Sequence, residues 1–467
     1  MARRGRVRSR RKSSGFGGFF IILLLIAVIA GGVFAYFSPK FEKIKPQIEI
    51  SHNLYASSTK PIKIKISDNI AIKSAKVIIS SNGKDIPIFA QDFLLPKKEQ
   101  TIEVKLPSEL LKSSKNLDLV VEARDSSLWG FFQGNRALSQ AKVIVDSIPP
   151  KINMVAASSS ITKGGSALVI VKVDDKALDS VYIDVGNGIK FTPIKYKKDG
   201  YFASLYVWPF TQDSFNPKVV AIDKAGNVAS YPIRVSKRFR KYRVSKIRAT
   251  DRFINGKISE LASQDSDYAN ITDKLEKFRA VNELMRKKNE DLIHKLSKNV
   301  TPIDFDNWKI KPFHPLKRAK KVADFGDKRY YYYNSPNNII STSYHLGFDL
   351  ASVKEDNLYA SNSGKVVYDS YNGIYGNMPM IDHGFGLYTL YGHCSSILVK
   401  KSQRVSTNDI IGKTGVSGLA LGDHTHFGIV VQGVEVLPLD WMDKKWIQKS
   451  ILDIFSKANG IIGYNNK

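Results

Sequence analysis

From Phe16 to Phe37 the chain runs for 22 residues without a charge (FGGFFIILLLIAVIAGGVFAYF). A helix of that length spans a hydrocarbon core of roughly 30 Å, so the run predicts one transmembrane helix over 16–37. Arg3, Arg4, Arg6, Arg8, Arg10, Arg11 and Lys12 precede it. The positive-inside rule assigns 1–15 to a basic cytoplasmic tail and everything after the helix to the periplasm or extracytoplasmic space. A cleaved signal peptide would carry an apolar region of only ~7–15 residues. The longer run here, ending in the interfacial aromatics Tyr36 and Phe37, favours a retained single-pass anchor in the cytoplasmic membrane.

A chain of 467 residues exceeds what one core organises, so several domains are expected. The formal charge of +28 lies mostly outside residues 301–467, with basic clusters in the N-terminal block and in the stretch from Lys237 to Arg248 (KRFRKYRVSKIR). Basic surfaces attract polyanions, but a segment placed outside the cytoplasm meets lipid head groups or acidic wall polymer, and no nucleic-acid partner is expected. The single cysteine, Cys394, rules out an intramolecular disulfide and any cysteine-based zinc knuckle.

Between about Pro46 and Ser236, short β-rich runs alternate with turn signals. The run IKISDNIAIKSAKVII from Ile64 is echoed about one hundred residues later by VKVDDKALDSVYI from Val171, and paired prolines in VDSIPPKI mark a join. The AIDKAGN stretch from Ala221 resembles a late-strand motif of bacterial immunoglobulin-like repeats. Two immunoglobulin-like β-sandwiches are therefore expected, over 45–148 and 149–236, acting as spacers or binding glycan or an envelope protein partner. Apolar residues at helical spacing then predict helices over 250–262 and 271–297, with Leu275, Phe278, Val281, Leu284 and Met285 as a stripe and His294 solvated. This makes 237–300 a basic and helical linker. The last assignments are 301–450 as a catalytic domain and 451–467 as a C-terminal tail.

Three motifs carry chemistry. In His345-Leu346-Gly347-Phe348-Asp349, read as a strand, the imidazole and the carboxylate share a face and the intervening glycine leaves room for an ion. His424-Thr425-His426 places two imidazoles on one face of a second strand, and Tyr391-Gly392-His393 puts His393 on the face of Tyr391. Histidines and an aspartate suit zinc, whose catalytic sites keep three protein ligands and one open position. Asp423 is a candidate to orient His424, the Thr425 hydroxyl needs a partner on the core side, and Cys394 should face away from the metal into the core.

The order HxxxD, YGH, HxH resembles the lysostaphin-type (LytM) zinc metallopeptidases of bacterial cell walls. The resemblance runs from about Phe325 to Asp443 and includes Asp324-Phe325-Gly326-Asp327 with Arg329, Ile381-Asp382-His383-Gly384 and Pro438-Leu439-Asp440-Trp441. It implies one Zn2+ on His345, Asp349 and His426, a catalytic pair His393 and His424, a structural role for His383, and a mostly antiparallel β fold. The activity it implies is hydrolysis of peptidoglycan peptides, as an endopeptidase on cross-links. The alternatives are a carboxypeptidase and a non-catalytic envelope scaffold or activator of other hydrolases.

Overall fold

A computed structural model describes residues 16–81 and 83–464, so the basic tail 1–15 lies outside the described residues. The protein is mostly β-strand and divides into two compact units. One holds the chain up to Ile148 together with Lys224–Asn227, and the other holds Pro149–Asp223 and everything from Val228.

The first unit opens with a helix, Phe16–Phe37. Within it Phe16, Gly17 and Ala35 are described in backbone only, and among the described residues no helix is long and apolar enough to cross a membrane. The membrane span is therefore a proposal. Residues 45–148, expected as a β-sandwich, form six strands joined in one continuous hydrogen-bonded network. The physical reason lies in two long strands, Ile62–Ser81 and Lys84–Val104, which pair with each other over most of their length. Register irregularities between Ser67 and Ser74 let the first of these change its other neighbour, from Gln47–Glu49 at one end to Asn116–Asp125 at the other. Alternate residues such as Ile64, Ile66, Val77, Ile79, Leu119 and Val121 fill a single core.

In the second unit, residues 151–232 build two antiparallel four-stranded sheets around Phe191, Leu205, Tyr206, Trp208 and Val219. These side chains belong to the same apolar cluster as Phe313, Phe385, Phe427 and Trp441 of the C-terminal region. Gln432 ties the two parts by polar bonds, accepting from Thr192 N at 2.7 Å and donating to Leu205 O at 3.3 Å. Trp441 donates to Ser166 Oγ at 2.9 Å. A region expected as a spacer thus shares its core with the domain it was expected to space.

The basic stretch is likewise no linker. Ser236–Arg238 pairs in parallel with Ser160–Thr162, and Val244–Arg248 pairs in parallel with Asp327–Tyr332. The helices that follow, from Asp251 to Ser263 and from Lys274 to Ser297, pack Phe278, Val281, Met285 and Ile293 against the C-terminal sheet, while Leu284 stays exposed. His294, expected to be solvated, meets Glu435 Oε1 at 2.7 Å. Burial works against its charge, but the Glu435 carboxylate wins and raises its pKa. Nor do the described residues of the expected tail 451–467 behave as one: Asp453–Ile461 is helical and buries Ile454, Phe455 and Ala458, an i, i+1, i+4 set, while Tyr196 donates to Asn459 Oδ1 at 2.7 Å.

The C-terminal sheet has eight strands, with Phe348–Ala351, Thr425–Val431, Leu387–Gly392, Asn377–Asp382 and Gly364–Tyr371 running antiparallel side by side. Its central strands are buried on both faces, and period-two alternation shows what covers each. Tyr388, Leu390 and Val430 join the cluster under the upstream helices, whereas Leu387, Tyr391, Ile429 and Val431 join the cluster shared with residues 151–232. A chain begun at Thr301 would bare both faces. It is expected to aggregate, whereas one begun at Pro149 should run as a monomer with a cooperative melt, as size-exclusion chromatography and thermal circular dichroism would report. A soluble, cooperatively melting 301–467 piece would contradict this.

Candidate metal centre and its cleft

His345 ends the strand Ile339–His345, and Asp349 lies in Phe348–Ala351, which belongs to a different sheet. The single strand expected here is broken at Leu346-Gly347, yet the corner still aims both side chains at one point. Asp349 stands opposite His426 in the neighbouring strand. His345 Nε2, Asp349 Oδ1 and His426 Nδ1 then converge, at 2.9, 3.0 and 3.1 Å from one another. Phe348 and Leu350 point into the core, as the alternation predicts. Gly347 is required by close approach: a Cβ there would lie 2.6 Å from His426 Nε2 and 2.6 Å from the Phe427 carbonyl oxygen.

The protonation of this triangle is constrained. His345 Nδ1 lies 2.8 Å from the Asp324 carbonyl oxygen, which can only accept, so Nδ1 carries a proton, and in the neutral ring Nε2 presents a lone pair. That lone pair faces a carboxylate oxygen and a second imidazole nitrogen. If His426 Nδ1 supplied the one available proton, its Nε2 would be bare, and Nε2 is buried without a hydrogen-bond partner. Burial opposes the Asp349 charge, but His345 and His426 override it and hold the carboxyl well below its usual range. Burial also pushes the His426 imidazole down to about 4. Two nitrogens and a carboxylate oxygen, mutually about 3 Å apart and short of protons, fit a cation with N/O ligands such as zinc. Among the described residues they are the one His/Cys/Asp/Glu group that could hold a metal ion.

His393 and His424 stand beside the triangle, with ring centroids 4.8 Å apart. His424 Nδ1 is 2.7 Å from Gly422 O and His393 Nδ1 is 2.8 Å from Ser417 O, so each ring donates through Nδ1 and keeps Nε2 free. His424 Nε2 lies 3.6 Å from Asp349 Oδ1. Burial, then the neighbouring imidazoles, push His393 down to about 3, which keeps it neutral. His393 does not share the face of Tyr391 as expected. Its backbone is left-handed, at φ 67, which turns the ring away while Tyr391 packs on Phe427 in the core. Cys394 is fully buried, and burial pushes its thiol up to about 12.

Asp423 does not orient His424. It accepts from Thr414 Oγ1 at 2.5 Å and from Glu355 N at 3.1 Å, bracing two loops. Thr425 donates to Gly392 O at 3.2 Å, which satisfies its hydroxyl. His383 is held by Ser363 O at 2.9 Å and Thr389 Oγ1 at 2.8 Å, and burial lowers it to about 4. Spacing gave no sign of Tyr375, whose ring lies 5.3 Å from that of His426 and whose carbonyl accepts from His393 N at 2.7 Å. Arg329 reaches to 3.9 Å from Asp349 Oδ2. The centre opens into a cleft of about 680 Å³, one wall of which is Ile247, Arg248, Phe253 and Arg286 from the upstream segment.

Residues 343–438 match Peptidase family M23. The chain is 33% identical over 147 residues to stage II sporulation protein Q of Bacillus subtilis, covering 30% of this chain and 49% of that protein. It is 39% identical over 89 residues to the peptidoglycan DD-endopeptidase ShyA of Vibrio cholerae, covering 19% of this chain and 21% of that protein. The match thus spans about half the length of the first of these relatives and about a fifth of the second. The catalytic domain of lysostaphin from Staphylococcus simulans superposes with a TM-score of 0.22 at 24% identity, over 27% of this chain and 92% of that one.

Replacing Gly347 with alanine should displace the His426 ring and weaken zinc binding by roughly 10–100-fold, the loss typical when the support of a ligand is disturbed. Competition against a chromogenic chelator measures it. Unchanged affinity in a folded Gly347→Ala protein would show that this glycine does not shape the site.

Proposed function

Because residues 343–438 of this chain form a Peptidase family M23 domain, we propose that it is a zinc-dependent peptidoglycan hydrolase that cleaves peptide cross-links as an endopeptidase. The Phe16–Phe37 helix would hold it in the cytoplasmic membrane, with the bulk of the chain in the periplasm or extracytoplasmic space. The observation that carries the reading is the juxtaposition of a three-donor cluster with two further imidazoles whose Nε2 atoms are free.

His345, Asp349 and His426 would hold the metal. Zinc in such a site supplies a polarised carbonyl and a bound water with a pKa near ~7. The chain's own groups then move protons. A neutral imidazole with a bare Nε2 accepts one from the attacking water and, once charged, donates to the oxyanion or to the departing amine. His393 and His424 share these steps. Arg329 places a positive charge 3.9 Å from Asp349 Oδ2. The basic and apolar cleft wall suits a peptide that carries carboxylates.

A second reading is a non-catalytic scaffold or activator, favoured by the length of the match to stage II sporulation protein Q. Digestion of purified peptidoglycan by the full chain, with and without chelator and followed by fragment mass analysis, separates the readings. Chelator-sensitive loss of cross-linked dimers is expected, and loss of terminal residues from monomers would indicate a carboxypeptidase instead. His393→Ala and His424→Ala should each cut the rate by roughly 10²–10⁴-fold with zinc retained, whereas His345→Ala should lose zinc and activity together. A folded, zinc-loaded protein that cleaves nothing would favour the scaffold.

A further inference from the structure

The first unit exposes an aromatic loop that none of the catalytic chemistry uses. In Trp129-Gly130-Phe131-Phe132 the side chains of Trp129, Phe131 and Phe132 are 43%, 95% and 65% exposed. Gly130, Phe131 and Phe132 all take positive φ, at 68, 56 and 68, a region that L residues avoid. Two phenylalanines held in that conformation with their rings in water are unfavourable twice over, unless something apolar receives them.

The base of the loop is rigid. Buried Asp125 accepts from Ser127 N at 2.9 Å and Asn135 N at 2.7 Å, and a Cβ on Gly134 would lie 2.5 Å from its carbonyl oxygen. The base is also bonded to the segment that leaves the N-terminal helix. Leu128 N donates to Lys40 O at 2.7 Å, Ser127 Oγ to Glu42 O at 2.7 Å, and Asn135 Nδ2 to Glu42 O at 2.9 Å. The Lys43 ammonium lies 4.2 Å from the centre of the Trp129 ring and 5.4 Å from that of Tyr36, the penultimate residue of the helix. Helix end, lysine and loop therefore form one continuous patch.

We infer that the Trp129–Phe132 loop is a second membrane contact, seating its aromatic rings in the lipid interface beside the end of the Phe16–Phe37 helix and fixing the first unit against the bilayer. The inference rests on the proposal that this helix is a membrane anchor. Amphipathic aromatics collect at the head-group level, and Lys40, Lys43 and Lys45 supply attraction to anionic lipid. A protein partner is the competing occupant, but the patch is continuous with an apolar helix, and lipid is the solvent that such a helix selects.

The test uses the full chain. Its one native cysteine, Cys394, is buried, so Phe131→Cys can be labelled selectively with an environment-sensitive maleimide. Lys84→Cys is the control. The register Ile72↔Asp125 and Ser80↔Asp118 puts position 84 at the opposite end of the sheet from the loop, at least ~26 Å away at ~3.3 Å per residue. On reconstitution into vesicles of phosphatidylcholine and phosphatidylglycerol, the probe at 131 should shift to the blue, resist iodide and be quenched by brominated lipid. The probe at 84 should do none of these. If the protein floats with the vesicles and the two probes respond alike to iodide, the loop inference is overturned while the anchor stands. If the protein does not float, both fall.

Discussion

Asp349 faces His426 across an antiparallel pair, and Gly392, in the strand on the other side, faces His426 as well. That register is what the donor cluster of His345, Asp349 and His426 depends on. Because side chains alternate with a period of two, a slip of one residue would send His426 into the core and Thr425 into the cleft. The neighbours on the core side hold the register in place. Phe427, Ile429 and Val431 are fully buried, and Gly428 lies so close to Leu390 that even a Cβ would meet its side chain at 2.9 Å. The donor triangle is thus set by apolar packing more than by any bond among its members.

Such packing needs cover on both faces, and the segment matching Peptidase family M23 does not contain it. The upstream helices cover one face and the region of residues 151–232 covers the other. The same helices and the parallel strand Val244–Arg248 also form a wall of the cleft. One piece of chain therefore stabilises the sheet and shapes what can enter the site, so changes made for one purpose will affect the other.

What could be read from the sequence follows from how local each signal is. The HxxxD and HxH spacings are short, and strand alternation predicts their convergence even though a corner at Leu346-Gly347 replaces the continuous strand. Helices at 250–262 and 271–297 were legible because their apolar period is local, and the Asp453–Ile461 helix carried the same signal in a stretch taken for a tail. The partner of a strand is not local. Nothing in KRFRKYRVSKIR states that Val244–Arg248 will lie parallel to Asp327–Tyr332, and nothing in IKISDNIAIKSAKVII states that it lies inside one twenty-residue strand that changes neighbours midway. Tyr375 and Arg286 reach the cleft from distant elements, and no spacing rule links them to the histidines.

A shared device sets the proton positions of the centre. His345, His393 and His424 each donate Nδ1–H to a backbone carbonyl, from Asp324, Ser417 and Gly422 respectively. A carbonyl cannot donate, so each ring is locked into the tautomer whose Nε2 lone pair is available. Side-chain partners could be lost or titrated, whereas carbonyls are invariant to substitution and to pH. What matters is the loop that carries each one. Ser417 bonds to Cys394 O and to Asn377 N, at 2.8 and 2.9 Å, and Gly376 and Gly418 adopt positive φ where their backbones touch. The tautomer of His393 is therefore specified by glycines and a serine that lie outside the donor triangle and act on it only by placing the Ser417 carbonyl.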